Sequence, residues 1–105
     1  MSDAYPLDGD GFTKLEDGKV VFGKWNKGRL VSNAKIVYPS AHIYIGEVKG
    51  YQRHGKGIMT LKNGQKYVGA FANGKYEGFG AIYNENGEKE MEGIWRAGVL
   101  VKRAF

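Results

Sequence analysis

The sequence predicts an all-β protein built as a single-layer, twisted antiparallel meander of consecutive β-hairpins. Glycine supplies 17 of the 105 residues, and its entropic cost within helices and strands makes this abundance typical of a chain with many turns. Seven Tyr, five Phe and two Trp argue against a disordered chain. No window of helical length places apolar residues three and four apart without an intervening glycine. We expect one domain over residues 1–105.

A 23-residue repeat predicts the hairpins. That spacing separates Gly46 from Gly69, and it also separates Tyr44 from Tyr67, Gly55 from Gly78, Gly57 from Gly80, and Gly64 from Gly87. Gly93 follows Gly69 by one position more than this spacing, which predicts one inserted residue near Lys89 and Glu90. In chain order the units are a half unit over 9–20, a degenerate unit over 21–43, full units over 44–66 and 67–90, and a half unit over 91–105.

Each full unit is expected to contain two strands. The first carries an aromatic-x-Gly-x-aromatic pattern, as in residues 67–71, and the second carries Gly-x-Gly and a β-prone run, as in residues 78–83. Asn-Gly and Asp-Gly pairs favour tight hairpin turns, and they occur at residues 17–18, 63–64, 73–74 and 86–87. Residues 99–105 are expected to form a strand, a cap or an edge for a second copy.

Side-chain alternation explains why rings and glycines recur together. Tyr67, Gly69 and Phe71 are expected on one face of their strand, and Gly78 and Gly80 on one face of the next strand. A ring from the first strand can then cover the bare glycine backbone of its neighbour, as in aromatic rescue.

This combination of residues resembles the MORN repeat (membrane occupation and recognition nexus), whose pattern is Tyr-x-Gly-x-Trp/Phe, a short turn, Gly-x-Gly and a further glycine seven positions later. Residues 44–66 and 67–90 match it best, and the resemblance covers roughly residues 9–98. Val48 departs from the pattern at the second aromatic position, and Ser32 and Ala34 depart from it at the glycine pair. The resemblance implies a curved sheet face that bears the repeat aromatics. It also implies a scaffold or adaptor for other proteins, with acidic phospholipids as ligands of some members.

Composition excludes several functional classes. The chain has no cysteine, which excludes a disulfide framework, a thiol nucleophile and zinc sites with cysteine ligands. Residues 1–6 lack the basic and apolar segments of a secretory signal. No apolar run reaches the roughly 20 residues that a membrane helix requires. We therefore expect a cytoplasmic protein, with the membrane surface as the alternative location.

The residues that could carry chemistry form no enzyme motif. His42 and His54 stand outside the metal-binding and nucleophile-elbow patterns. Asp8, Asp10 and Glu16 have the residue types of a calcium loop, but the glycine spacing of that loop is absent. Residues 55–57 lack the Gly-Lys-Ser/Thr continuation and the following helix of a phosphate loop. We expect a protein that is not an enzyme and that holds no metal or cofactor.

Charge is segregated along the chain. The net charge is +5, but residues 18–75 carry eleven Lys and Arg against Glu47 alone, a local charge of +10. Such a block favours an acidic protein, an anionic lipid surface or a nucleic acid as partner. The competing interpretation is that lysines keep an all-β protein soluble and prevent its edge strands from pairing.

The sequence favours a non-catalytic protein-interaction module, acting as an adaptor, scaffold or inhibitor. A single sheet has no second layer to cover its apolar face, so we expect some ring surface to remain open as a groove; the alternative is that the rings pack only on glycines and on each other. The predicted anchors are Trp25, Tyr44, Tyr67, Phe71, Tyr83 and Trp95. The predicted basic patch is Lys49, Arg53, Lys56, Lys62 and Lys66.

Three other binding modes stay open at this point. Peripheral binding to anionic phospholipid membranes through the basic central hairpins is the main alternative. Nucleic acid is disfavoured because the rings occupy repeat positions and do not form a stacking platform among basic neighbours. The sheet edges offer a route to a homodimer.

Overall fold

The computed structural model describes residues 8–105, apart from the side chain of Ser32. Residues 1–6, on which the expectation about a secretory signal rests, lie outside this range. The strands are β1 (Asp8–Lys14), β2 (Val20–Asn26), β3 (Arg29–Val37), β4 (Ile43–Lys49), β5 (Gln52–Thr60), β6 (Lys66–Ala72), β7 (Lys75–Tyr83), β8 (Lys89–Arg96) and β9 (Val99–Arg103). Across residues 8–105 there is no helix with the length and apolar character needed to cross a bilayer.

The strands form one antiparallel sheet in which spatial order equals chain order from β1 to β9. This confirms the predicted all-β meander. The last strand, β9, pairs with β8, so residues Val99–Arg103 extend the sheet. The body measures 49 × 23 × 21 Å, which fits a row of hairpins placed side by side.

The two kinds of connection recur with the repeat, but the predicted tight turns are only partly correct. Asn73 and Gly74 form a two-residue turn between β6 and β7, with φ values of 52° and 82°. Lys27-Gly28 and Ala97-Gly98 adopt the same left-handed pair, although neither has the Asn-Gly signature. The repeat spacing would have identified both turns. The first lies two repeats before the Asn73-Gly74 turn, and the second lies one repeat and the inserted residue after it.

The other three predicted turn pairs, at residues 17–18, 63–64 and 86–87, lie in five-residue loops, so the prediction of tight turns there is wrong. In the loop from Leu61 to Gln65, the Leu61 amide donates to the Gln65 carbonyl and the Gly64 amide donates to the Leu61 carbonyl. Gly64 has a φ of 93°, a left-handed conformation that glycine adopts without steric cost. The loop of the degenerate unit has the same hydrogen bonds, but Ala41 occupies the left-handed position with a φ of 74°.

A bulge recurs once in every hairpin that joins the two strands of a unit. Strands β3, β5 and β7 have nine residues each, whereas their partners β2, β4 and β6 have seven. The register shifts after Gly46 in one hairpin and after Gly69 in the next. Extra residues on one strand bend it and increase its twist, so the sheet curves in the same sense at each unit.

The inserted residue predicted near Lys89 and Glu90 is also a bulge. Ile82 pairs with Met91 and Tyr83 pairs with Lys89, which leaves Glu90 without a partner in the ladder. The insertion is therefore absorbed locally, and Gly80 still pairs with Gly93.

The core occupies one face of the sheet, which we call the inner face. It carries Tyr44 and Tyr67, and its buried cluster consists of Val21, Ala34, Ile36, Tyr44, Met59, Tyr67, Phe71 and Trp95. The other face, called the outer face, carries the alternate residues of each strand. Within residues 8–105 the inner face is covered by its own side chains and by no second layer.

Candidate functional site

Two tyrosines cover glycines on the neighbouring strands of the inner face. The ring of Tyr44 lies against Gly57, and the ring of Tyr67 lies against Gly80, so closely that a Cβ atom at either glycine would overlap with the ring. The Tyr44 hydroxyl donates to the Glu47 carbonyl, and the Tyr67 hydroxyl donates to the Ala70 carbonyl at 2.8 Å. Desolvation by burial raises the pKa of both hydroxyls to about 12.

The two glycines of each Gly-x-Gly motif therefore have different roles. Gly57 and Gly80 make room for a ring. Gly55 and Gly78 each have a φ of 79° and lie in the bulge, where a left-handed backbone is needed. The predicted covering of glycine backbone by a ring is thus found at the second glycine of each pair.

The degenerate unit keeps the same packing with a different pair of residues. Val21 occupies the position of Tyr44 and Tyr67, and Ala34 occupies the position of Gly57 and Gly80. Both are buried in the same core cluster. A smaller side chain at the ring position leaves room for a methyl group at the glycine position, so the two departures from the repeat pattern compensate each other.

Tyr67 is the centre of the ring cluster. Its ring stacks on Tyr76 at a centroid distance of 3.8 Å, and it meets Phe71 and Trp95 edge-on at 5.0 and 5.6 Å. Phe71 in turn meets Tyr44 edge-on at 5.1 Å. The edge-on contacts have a favoured geometry of aromatic pairs.

The predicted anchor residues are the core of the protein. Trp25, Tyr44, Tyr67, Phe71 and Trp95 are only 0–6% exposed, so the expected open groove over these rings is wrong. The physical reason is that the curved sheet brings rings from successive strands into contact above the glycines. Whether a partner ever touches these rings stays a prediction.

Tyr83 departs from the other predicted anchors. It pairs with Lys66, which is one residue out of phase with Tyr67, and strand alternation therefore places it on the outer face. It is partly buried.

The structure disperses the predicted basic patch. Lys56 and Lys66 alternate with inner-face residues and lie on the outer face, whereas Lys62 lies in the loop after β5 and Lys49 lies at the end of β4. Arg53 pairs with Val48 and lies on the inner face, with its guanidinium 5.3 Å from the Tyr38 ring centroid. These residues do not form one continuous surface.

A row of exposed apolar side chains crosses the outer face. This outer row consists of Phe12, Phe22, Ile45, Ile58, Val68, Phe79 and Ile94, which are 38–56% exposed. Its members are linked by strand pairing: Phe12 pairs with Phe22, Ile45 with Ile58, Ile58 with Val68, and Phe79 with Ile94. Lys35 lies between Phe22 and Ile45 in the ladder.

Two shallow grooves run along the outer row. One, with a volume of about 710 Å³, is lined by Ile45, Ile58, Val68 and Phe79 above a floor of glycine backbone. The other, of about 680 Å³, is lined by Phe12 and Phe22 and shares Ile45 with the first. Lys24, Lys35 and Lys56 lie along these grooves, with Asp10 as the acidic residue in their lining. The outer face therefore combines apolar and basic side chains.

Sequence reasoning missed the outer row although a signal was present. Phe22, Ile45 and Val68 recur at the repeat spacing, and each follows directly after an inner-face residue of the repeat. Period-two alternation therefore indicates two apolar faces, of which only one can be covered by the rings. The largest rings lie on the covered face, so a prediction based on the tyrosines and tryptophans does not identify the exposed face.

Asp8, one of the acidic residues considered for a calcium loop, contacts a neighbouring turn. The Asp8 carboxylate accepts a hydrogen bond from the Lys27 amide at 3.1 Å, in the turn after β2. Within residues 8–105, no three His, Asp or Glu side chains are grouped so that they could hold a metal ion.

Comparison with protein-family models identifies two consecutive MORN repeats, at residues 44–66 and 67–89. No curated protein matches the chain. MORN repeats are binding modules that contact proteins or membrane lipids. The two matched segments contain the Tyr-over-Gly pairs described above, and the all-β meander of residues 8–105 is the architecture expected of such repeats. The chain therefore contains two consecutive MORN repeats, which together span residues 44–89.

Proposed function

We propose that the chain is a non-catalytic protein-interaction module that binds an acidic, apolar segment of another protein along the outer row. The observation that carries this proposal is the outer row itself, since seven neighbouring apolar side chains remain exposed while the aromatic face is closed. Contiguous apolar surface of this kind is typical of interaction sites.

The outer row has the composition of a docking surface for a protein segment. Phe12, Phe22 and Phe79 are exposed aromatic residues, the type that supplies anchors at protein interfaces. The grooves beside them are shallow and extended, which suits a helix or strand better than a compact small molecule. The adaptor, scaffold or inhibitor role depends on what the partner does.

Charge favours an acidic partner. Lys24, Lys35 and Lys56 lie along the grooves, while the carboxylate of Glu47 on the same face accepts a hydrogen bond from the Lys56 amide at 2.7 Å. A partner that carries Asp or Glu beside its apolar residues would meet complementary charge. This attraction is expected to weaken as salt rises.

The test is a pull-down from cell lysate at physiological salt, in which the proteins that bind to the wild-type chain are compared with those that bind to two variants. The variant Ile58→Ser/Val68→Ser interrupts the outer row at its centre. Val99→Ser is the matched control, because Val99 is 62% exposed and lies in the edge strand β9, outside the row. We expect a stoichiometric partner that is retained by Val99→Ser and lost by the double variant.

Three results would contradict the proposal. Equal capture by the double variant and by wild type would exclude the outer row, and the absence of any stoichiometric partner would argue against a protein ligand. Sedimentation with phosphatidylserine vesicles in place of a protein partner would favour the membrane alternative, in which the lysines bind anionic headgroups.

A further inference from the structure

Asn84 is the polar exception at a repeat position that is otherwise apolar. The residues one, two and three repeats before it are Leu61, Tyr38 and Leu15, and all three pack against the core of the inner face. Each of the four residues opens a five-residue loop between two strands. An apolar side chain thus satisfies the fold at this position, so the side-chain amide of Asn84 has a separate role in its own loop.

The Asn84 side chain organises the loop over residues 84–88. Its Oδ1 accepts hydrogen bonds from the backbone amides of Asn86 and Glu88 at 2.9 and 3.0 Å, and its Nδ2 donates to the Glu88 carboxylate at 2.9 Å. One repeat earlier, the equivalent amide is that of Gln65, and it donates to the side chain of Asn63 at 2.9 Å. Asn84 therefore accepts the hydrogen bond that the residue two positions later accepts in the preceding loop.

Asn86 is left without the contact that its repeat position makes in two other loops. The equivalent residues Asp17 and Asn63 each accept the backbone amide of the residue two positions later, and Asn63 also donates to the Gln65 side chain at 3.1 Å. The Asn86 side chain is exposed and has no hydrogen-bond partner among residues 8–105. It is therefore free to rotate, whereas the Asn63 side chain is held at both ends.

The residue after Asn86 is Gly87, whose backbone nitrogen can attack the Asn86 side chain. The nitrogen gives its proton to a solvent base and bonds to Cγ of Asn86, while the bond from Cγ to Nδ2 breaks and ammonia leaves. Water then opens the cyclic imide at either carbonyl, which gives an aspartyl or an isoaspartyl residue. Glycine suits this reaction because it has no Cβ atom to obstruct the attack, and asparagine is among the thermolabile residues of proteins.

The Asn-Gly pair at residues 73–74 is held by two hairpins. Ala72 pairs with Lys75 directly beside the turn, and the Gly74 amide donates to the Arg53 carbonyl of the preceding hairpin at 3.0 Å. Attack by the Gly74 nitrogen therefore requires separation of the two hairpins. The equivalent bond in the loop 84–88 runs from Gly87 to a carbonyl of the same loop at 2.9 Å, and a short exposed loop opens at a lower free energy than a paired sheet.

We propose that Asn86 is a self-modification site, at which asparagine is converted to aspartyl and isoaspartyl residues faster than at the other Asn-Gly pairs of the chain. Asp17 occupies the equivalent position, and its carboxylate accepts the Lys19 amide at 3.1 Å, so this kind of loop is compatible with an aspartate. The reaction adds a negative charge beside Glu85 and Glu88. The loop contains no residue of the outer row, and the proposal does not depend on the function proposed above.

The test is incubation of the folded full chain at physiological temperature in mildly alkaline buffer, followed by trypsin digestion and mass spectrometry. The three Asn-Gly pairs fall in separate tryptic peptides, residues 63–66, 67–75 and 76–89, and fragment ions distinguish Asn86 from Asn84. We expect Asn86 to be converted about fivefold faster than Asn63, which is the ratio that one ordinary hydrogen bond corresponds to, and also faster than Asn73. An isoaspartyl product, separated by chromatography, identifies the route through the cyclic imide.

Asn84→Leu is the matched variant, because it introduces the residue found at the equivalent position 61 and releases the Glu88 amide to Asn86. It should slow the conversion of Asn86 to about the rate of Asn63. In urea, where the loops are unfolded, the three pairs should react at similar rates. If Asn84→Leu does not fold, the comparison of folded and urea-unfolded wild type decides.

Three results would overturn the proposal. They are conversion of Asn63 or Asn73 in the folded chain at least as fast as that of Asn86, an unchanged rate in folded Asn84→Leu, and the same order of rates in urea as in the folded chain. The last result would assign the order to the neighbouring sequence, because the hydrogen bonds of the loops are absent in urea.

Discussion

The ring of Tyr44 lies against the backbone of Gly57 on the next strand, and one repeat later the ring of Tyr67 lies against Gly80 in the same way. In the degenerate unit Val21 and Ala34 take these two positions. A smaller side chain at the ring position is therefore matched by a larger residue at the glycine position. This relationship can be tested by converting a Tyr–Gly pair into the Val–Ala pair that the same chain contains.

We expect Gly57→Ala to destabilise the protein by about 2–3 kcal/mol, since a Cβ atom there would overlap with the Tyr44 ring. Tyr44→Val should also destabilise, because it removes a buried ring. The double variant Tyr44→Val/Gly57→Ala reproduces the pair Val21 and Ala34. Its loss of unfolding free energy should therefore be smaller than the sum of the losses of the two single variants by about 1–2 kcal/mol. Urea unfolding of the four proteins measures this coupling. Strict additivity would show that ring and glycine are independent.

The buried ring cluster should be required for folding. We expect Tyr67→Ala to cost about 3–5 kcal/mol, because Tyr67 is 1% exposed and contacts Phe71, Tyr76 and Trp95. Phe79→Ala is the control, since Phe79 is 54% exposed on the outer face, and its cost should stay below about 1 kcal/mol. The melting temperatures of the two variants, measured by circular dichroism, distinguish these two effects. Equal losses would show that the outer row also stabilises the free chain.

Ala41→Gly is expected to stabilise the protein by about 0.5–1 kcal/mol. Ala41 has a φ of 74°, and the equivalent residues Gly18, Gly64 and Gly87 are all glycines with left-handed backbone. Glycine removes the steric cost of that conformation, although it also adds entropy to the unfolded chain. The reverse change, Gly64→Ala, should destabilise the loop of the next unit. A lower melting temperature for Ala41→Gly would contradict this account.

Stability should fall steeply in alkaline solution. Burial raises the pKa of Tyr44 and of Tyr67 to about 12, whereas an unfolded tyrosine ionises near pH 10. The folded state holds these protons more tightly than the unfolded state, so the stabilisation is complete below about pH 10 and is lost as pH rises towards 12. Absorbance at 295 nm and the free energy of unfolding can be followed together across this range. Tyr44→Phe/Tyr67→Phe should show a flatter dependence, and an unchanged slope would assign the effect to other groups.

Much of the fold could be predicted because each repeat has the same strand pattern. The spacing of Tyr44, Tyr67 and the glycines predicts the order of strands, and the extra residue near Glu90 predicts an irregularity that the structure shows as a bulge. The loop lengths were harder, because an Asn-Gly pair is compatible with a two-residue turn at 73–74 and with a five-residue loop at 61–65. Hydrogen bonds across the loop decide between them.

The candidate site was harder to predict than the fold. Alternation assigns Tyr67 and Val68 to opposite faces, but it does not show which face the sheet curves around. Curvature depends on the bulges at Gly46 and Gly69, which draw the rings together and leave Val68 and its neighbours open. The lysines before and after Arg53 in the sequence predict that it belongs to a basic patch, and only the pairing of Arg53 with Val48 shows that it lies on the inner face.

The order of the strands in the sheet determines how the protein is expected to fold. Every strand of residues 8–105 is hydrogen-bonded only to the strands next to it in sequence, so each hairpin can close with short loops and low entropic cost. The two central units contain the Tyr-over-Gly pairs, whereas β1 and β9 each have a single neighbour in the described sheet. Structure should therefore spread outward from the middle of the chain during folding and be lost from the two ends first, as in other linear repeat proteins.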